Sequence, residues 1–248
     1  MSKQVALFAT CVVNTMRPRV GFAALKLLED AGYDVAVPEN QTCCGQPNFN
    51  SGDREGTRQM ARHFLKTFRD FDYVVVPSGS CGGMVHTHYP DLFDPSEAEH
   101  APLTALAGRT YELMAFLTGI AGVKEVSASC NRKVTYHDSC AGLRELKVKK
   151  QPRDLLKAVD GLHLVEMNEP EVCCGFGGLF CVKYSDISGD MVEKKAEDIV
   201  NTGADLVAMG DVGCLLNVEG RLNRRGEKIE AVHVAEVLAG MVPDQGEG

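Results

Sequence analysis

The sequence predicts an α/β protein built as two pseudo-repeated, Rossmann-like domains, each a small parallel sheet with helices and a cysteine cluster at the carboxyl ends of its strands. Three observations carry this. Short β-branched runs alternate with segments of helical apolar spacing. The two halves of the chain align with each other. A cysteine pattern occurs twice: Cys11, the pair Cys43-Cys44 before Gly45, then Cys81; and Cys140, the pair Cys173-Cys174 before Gly175, then Cys214. The gap leading to the pair is 32 residues in one copy and 33 in the other, and the gap after it is 37 and 40.

In the first half VALFA, DVAVP and YVVVP read as strands bounded by turn residues. Val20, Ala24, Leu27, Leu28 and Ala31 recur at helical spacing between the first two, and Met60, Ala61, Phe64, Phe68 and Phe71 between the second and third. In the second half Ile187, Met191, Val192, Ile199 and Val200 mark the equivalent helix. Strand–helix–strand order implies right-handed crossovers and parallel sheets. A further helix over 103–119, carrying Leu106, Leu113, Phe116 and Leu117, is expected to bridge the halves. The join falls around 120–132, which places the two cysteine-rich domains at 1–128 and 129–248. The closing VPDQGEG is polar and expected to fray.

The repeat extends beyond the cysteines. VALFATC (5–11) matches VTYHDSC (134–140), YDVAVPENQTCCG (33–45) matches HLVEMNEPEVCCG (163–175), and DYVVVPSGSC (72–81) matches DLVAMGDVGC (205–214). Matching SGDREGTRQMARHFL (51–65) to SGDMVEKKAEDIV (188–200) puts a seven-residue insertion at GFGGLFCVKYSD in the second half. Every motif cysteine then lies just past a strand. Loops beyond the carboxyl ends of parallel strands gather at one edge of the sheet, so cysteines far apart in sequence should converge there.

Composition narrows the function classes. The chain has 248 residues, 44% hydrophobic and 24% charged, with a net charge of −8. That charge argues against binding nucleic acid, whose phosphates it repels. No apolar run approaches the ~20 residues that cross a bilayer, and the N-terminus lacks the pattern of a signal peptide, so a cytoplasmic protein without integral membrane contact is expected. Ten cysteines in a reducing compartment point to metal or redox chemistry rather than a disulfide scaffold.

Thiolates are soft ligands for iron–sulfur clusters and for zinc, and a [4Fe–4S] cluster takes four of them. Adjacent cysteines make a strained disulfide but can ligate one cluster. Glycines after each pair let the backbone wrap closely and aim N–H groups at sulfur. The alternatives are two four-thiolate zinc sites, a metal-free thiol–disulfide enzyme and inert buried cysteines. Zinc ligands usually come as CxxC knuckles, and the chain has none.

Other residues are weaker candidates. His137 and Asp138, just before Cys140, could orient a ligand or move a proton beside the second set, as a catalytic pair. His233 with Glu236 could line the same site. His86 and His88 lack i,i+4 spacing for a metal. Arg144, Lys147, Lys149 and Lys150 form a basic run that reads as a solvated helix end, or more sharply as an anchor for an anionic substrate. Asn48, Asn50 and Ser51 suit a helix cap. CCGFGG lacks the spacing of a nucleotide loop, and no flavin or nicotinamide fingerprint is present.

The Cys…CCG…Cys layout resembles the cysteine-rich CCG domain family, as in the cysteine-rich subunits of heterodisulfide reductase and of anaerobic glycerol-3-phosphate dehydrogenase. The segments QTCCGQPNFNSGD, PSGSC, CCGFGGLFCVKYSDISGDMVEKK, GDVGCLLNVEGRL and VHVAEVL are similar to the lactate utilization protein A group over essentially the whole chain. The resemblance implies a cytoplasmic iron–sulfur electron-transfer subunit of a system oxidising L-lactate to pyruvate. One or two [4Fe–4S] clusters per chain would be held by Cys11, Cys43, Cys44 and Cys81 and by Cys140, Cys173, Cys174 and Cys214. Partners would be a larger ferredoxin-like iron–sulfur protein, a third lactate-utilization protein and L-lactate itself. The heterodisulfide reductase relative carries CxxC at the third element, giving five cysteines per site; here Ser78 and Asp211 stand at the extra positions. Cys181 is the candidate for a fifth ligand in the second half, and Cys130 reads as incidental. Competing readings are a heterodisulfide-type thiol–disulfide reductase subunit and a zinc-stabilised assembly module.

Overall fold

The structure is a computed structural model that describes residues 3–242. The polar tail beyond Val242 lies outside the described residues. The first half runs β1 (Gln4–Leu7), α1 (Cys11–Met16), α2 (Pro18–Asp30), β2 (Asp34–Ala36), α3 (Gln46–Ser51), α4 (Arg54–Phe68), β3 (Tyr73–Val76), α5 (Gly79–Gly83), α6 (His100–Ala107), β4 (Thr110–Glu112) and α7 (Leu113–Ala115). The second half repeats it as β5 (Lys133–His137), α8 (Cys140–Arg144), α9 (Lys150–Lys157), β6 (His163–Val165), α10 (Phe180–Lys183), α11 (Ser185–Asn201), β7 (Leu206–Met209), α12 (Val212–Arg225), β8 (Glu230–His233) and α13 (Val234–Leu238). Both sheets are all parallel and share one order, β2-β1-β3-β4 and β6-β5-β7-β8. The α/β pseudo-repeat read from the sequence is therefore present, and each sheet gains a fourth strand that the sequence reading did not assign.

The helix expected over 103–119 is three elements. The α6 helix stops before Gly108, Thr110–Glu112 pairs with β3, and a new helical segment follows. The reason is burial on two sides of one sheet. Leu103 and Leu106 pack with Phe8, Phe64 and Tyr89 on the outer face. Leu113, Phe116 and Leu117 pack on the other face with Val134, Leu206 and Val237 of the second half. A single straight helix cannot reach both faces, so the chain crosses as an edge strand.

The expected seven-residue insertion is also corrected. A Cβ on Gly45 would meet Thr57 and Met60 of α4, and one on Gly175 would meet Ser188 and Met191 of α11. These contacts pair Thr57 with Ser188, six residues out of step with the SGD match. The starts of α4 and α11, Arg54 and Ser185, agree with the new register. The link from Gly175 to α11 is thus nearly as long as its counterpart, and the repeated SGD is coincidental.

The two sheets are joined by one apolar core in which Val5, Leu7, Leu28 and Val75 meet Val134, Leu155, Leu206 and Leu238. The packing follows a pseudo-twofold axis. The α2 helix packs on α13 as α9 packs on α7, and α5 on α8 as α12 on α1. At the α5–α8 crossing Gly79 lies directly against Gly142. At the equivalent α12–α1 crossing Val212 packs on Val13 and Val20. One side of the axis thus closes by backbone approach and the other by side-chain burial. A Cβ on Gly79 would stand 2.9 Å from the Gly142 backbone, which has nowhere to move. Gly79→Ala is expected to cost about 1–3 kcal/mol, an overpacking penalty, and to lower the melting temperature by several degrees in a thermal unfolding scan.

Candidate metal centres

Each sheet places its loops at one edge, and the eight motif cysteines sit there. Cys11 and Cys140 open α1 and α8, directly after the central strands β1 and β5. Cys81 and Cys214 lie in the first turns of α5 and α12, after β3 and β7. The two CCG segments follow β2 and β6, and Gly45 and Gly175 turn the chain at φ 79° and 81°. That left-handed turn suits glycine and aims its N–H back at the preceding cysteine. Gly45 N–H donates to Cys43 Sγ and Gly175 N–H to Cys173 Sγ, both at 3.4 Å. A side-chain donor, buried in the first half and half-buried in the second, then fixes the carbonyl between the paired cysteines and the glycine. Tyr89 donates to Cys44 O at 2.8 Å, and Asn217 to Cys174 O at 2.9 Å.

The first set forms a line of contacts: Cys11 to Cys43, Cys43 to Cys44, and Cys44 to Cys81 at 3.3 Å. The second repeats it, Cys140 to Cys173, Cys173 to Cys174, Cys174 to Cys214. The electrostatics repeat too. Hydrogen bonds from the Cys11 and Cys44 thiols pull Cys43 down to about 2, while Cys11 and Cys44 are pushed up because each holds its proton for Cys43. Cys140 and Cys174 likewise pull Cys173 down to about 2 and are themselves pushed up. At Cys214 the hydrogen bond from Cys174 lowers the thiol, but burial and the neighbouring Asp211 charge outweigh it. Within each set one thiol is favoured as the thiolate at the expense of its neighbours. Four thiolates would need compensating positive charge, which a metal core provides.

Ser78 and Asp211, the positions of the absent fifth cysteines, meet across the pseudo-axis. Ser78 Oγ donates to Asp211 Oδ2 at 3.0 Å, and Ser80 N–H donates to the same oxygen at 2.9 Å. Asp211 Oδ1 accepts from Gly213 N–H at 3.0 Å and caps α12, while Ser78 caps α5. The second half also closes over the first set. Phe176 and Gly178 join Asp211, Cys11, Cys43, Cys44 and Cys81 around a cavity of about 90 Å³.

The remaining candidates have other work. Both carboxylate oxygens of Asp138 take the Arg153 guanidinium at 2.8 Å, and that guanidinium lies over the Tyr136 ring. His233 and Glu236 form a capping box on α13. His86 bonds the Ala107 carbonyl, and His88 faces Glu145 at 3.5 Å. In the basic run Lys149 pairs with Glu171 and Lys150 with Asp154, while Lys147 bonds the Arg144 carbonyl, so the solvated helix end is the better account. The α4 cap is Asp53, which accepts from Gly56 N–H and from Asn48; Ser51 bonds the Asn48 carbonyl and does not cap. The Cys181 thiol is spent on the Gly178 carbonyl at 3.1 Å. Cys130 is buried in the shared core, its N–H on the Asp160 carbonyl. His137 is fully buried beside the second set, its donor nitrogen within 4.8 Å of the Cys174 and Cys214 sulfurs.

Two comparisons with known proteins bear on these centres. The profile of the cysteine-rich CCG domain matches twice, over residues 5–86 and 134–219. Lactate utilization protein A of Shouchella clausii (strain KSM-K16) is 47% identical over 94% of this chain and 98% of its own length. The protein of that name from Macrococcus caseolyticus (strain JCSC5402) is 44% identical over 96% and 97%. A likeness to glutamate racemase from Francisella tularensis, at 8% identity over 97% of this chain and 79% of that one with a TM-score of 0.33, is too loose to carry any argument.

Two predictions concern the junction beside these centres. Asp211→Ala removes three hydrogen bonds from a buried carboxylate and is expected to cost about 2–4 kcal/mol in chemical unfolding, against about 1 kcal/mol for Ser78→Ala. Glu112, buried where β4 ends, is raised from 4.5 to about 7 by burial, though the Ala115 N–H bond opposes the shift. Because the folded value is the higher, its contribution is present below pH 4.5 and is lost as pH rises through about 7. Glu112→Gln is therefore expected to be more stable than the parent by roughly 2–3 kcal/mol at pH 8, the difference vanishing near pH 4.5, in urea unfolding across that range. His137 and His233, both lowered to about 4 by burial, give a slope of opposite sign common to both proteins, so the difference isolates Glu112.

Proposed function

Since the chain belongs to the cysteine-rich CCG domain family, we propose that it is an iron–sulfur electron-transfer subunit of a cytoplasmic system that oxidises L-lactate to pyruvate. The observation that carries the reading is the same line of four thiols at the carboxyl edge of each sheet. Cys11, Cys43, Cys44 and Cys81 would hold one [4Fe–4S] cluster, and Cys140, Cys173, Cys174 and Cys214 another. Two such clusters supply two one-electron carriers, matching the two electrons that lactate releases on becoming pyruvate.

This chain's own residues would do three things. The eight thiols supply the charge the metal needs. Gly45 and Gly175 direct an N–H at one sulfur of each set, which raises the potential of a centre held there. Phe176 shields the first set with apolar surface. With no flavin or nicotinamide fingerprint in the sequence, the partners would supply the hydride or proton chemistry. On the family resemblance they would be a larger ferredoxin-like iron–sulfur protein and a third lactate-utilization protein; the relatives' name, lactate utilization protein A, fits a system with further components.

The competing readings are less well supported. Zinc sites held by four thiolates usually draw them from CxxC knuckles, and the chain has none. The heterodisulfide-type reductase reading draws on a five-cysteine site, and here the extra positions are taken by the Ser78–Asp211 bond.

Anaerobically purified protein is expected to carry about eight irons and eight sulfides, the content of two cubanes, and to give an EPR signal after dithionite reduction. Zinc with no signal would overturn the reading. Cys173→Ser is expected to lose about half of the iron and to abolish lactate-dependent reduction of the partner system. A full iron content in that variant would remove Cys173 from the ligand set.

A further inference from the structure

The two halves agree at their thiols and differ directly beneath them. The residue three before the first cysteine is Phe8 in one half and His137 in the other. Phe8 stands edge-on to Phe64 and Phe68, with ring centroids 5.2 and 5.5 Å away. The pairing of Thr57 with Ser188 puts Lys195 of α11 where α4 has Phe64. Lys195 is 1% exposed, and its ammonium donates to the Glu169 carbonyl at 2.5 Å and lies 3.9 Å from Asp198. An apolar floor under the first set thus becomes an imidazole and an ammonium under the second.

His137 is fully buried, and its ring lies beside the Pro170 carbonyl without a partner of full hydrogen-bond geometry at either nitrogen. Orphaned buried polar atoms of this kind cost about 1–3 kcal/mol each, so a fold retains them where something else satisfies them. His137, Cys174 and Cys214 are the one set of three metal-ligating side chains among the described residues whose donor atoms all lie within 4.8 Å of one another. Building on the iron–sulfur reading above, we propose that His137 is a nitrogen ligand of the second metal centre, bound beside Cys174 and Cys214. The second set then offers five donors where the first offers four, and the fifth is an imidazole rather than Cys181. A nitrogen this close to two ligand sulfurs reaches an iron of the same centre with small side-chain adjustment. Where the imidazole takes an iron in place of one thiolate it removes a negative charge, which makes the centre easier to reduce than an all-thiolate one.

The test is pulsed EPR on the full chain, purified anaerobically and reduced, at natural abundance and with 15N-histidine. One of the two cluster signals is expected to show a strongly coupled nitrogen that changes on 15N labelling. In His137→Phe, which installs the first half's own residue, that coupling is expected to vanish, with a shift of one potential to a lower value and the other unmoved. The labelled parent protein gives the decision even if the variant folds poorly. Full iron with no histidine nitrogen coupled to either signal, or a coupling that persists in the variant, would overturn the ligand assignment and leave the iron–sulfur reading standing. Absence of iron from both centres would overturn that reading itself, and the assignment with it.

Discussion

Parallel strands deliver every loop that follows them to the same edge, and in this protein that constraint decides the rest. Cys11 and Cys81 are 70 residues apart but follow neighbouring strands, β1 and β3, in register. The site therefore needs no long-range design beyond the order of the sheet. It needs only that the chain leave each strand at once. After β1, β3, β5 and β7 the backbone does this by entering a helix within a few residues, while the loops that follow β2 and β6 run farther before a glycine at positive φ turns each CCG segment. The short helices α1, α5, α8 and the start of α12 hold their cysteines at a fixed distance from the sheet edge.

Thiols brought this close constrain one another. Hydrogen bonds from neighbouring thiols lower Cys43 and Cys173, and Cys11, Cys44, Cys140 and Cys174 are raised in turn. Metal binding would have to displace the thiol protons, so affinity should weaken as the solution becomes more acidic. Burial adds to the effect at Cys44, Cys174 and Cys214. A cationic core bound there would relieve this mutual repulsion.

Strands β1, β2, β3, β5 and β7 were legible because their β-branched runs stand between glycines, prolines and polar turns. β4 and β8 were not. Thr110–Glu112 is three residues long and reads as part of a helix until its partner β3 is known, and Glu230–His233 opens with a charge. The register of α11 was misread because SGD repeats by chance, and only the contacts of Gly45 and Gly175 reset it. Convergence of the eight cysteines was legible from their places after strands. The position of His137 was legible as adjacency to Cys140, but not its orphaned ring, which depends on Lys195 and Cys174 from elsewhere in the chain. Asp138 illustrates the same limit. Arg153 occupies its carboxylate, and that partner comes from a helix whose face the sequence alone did not orient.

Ser78 and Asp211 show why the duplicated halves could not remain identical. Residues related by the pseudo-twofold axis and close to it face each other, so any side chain placed there meets its own counterpart. Two aspartates would bury like charges in contact, and two serines would leave three backbone and hydroxyl donors short of one strong acceptor. One serine and one aspartate supply a donor and an acceptor, and the carboxylate also takes the Ser80 and Gly213 N–H groups. Once the halves share a core, positions on the axis must diverge for packing reasons alone. Positions away from the axis, such as Phe8 and His137, lie under no such requirement. Their difference is therefore better assigned to the chemistry of the two centres than to the joining of the halves.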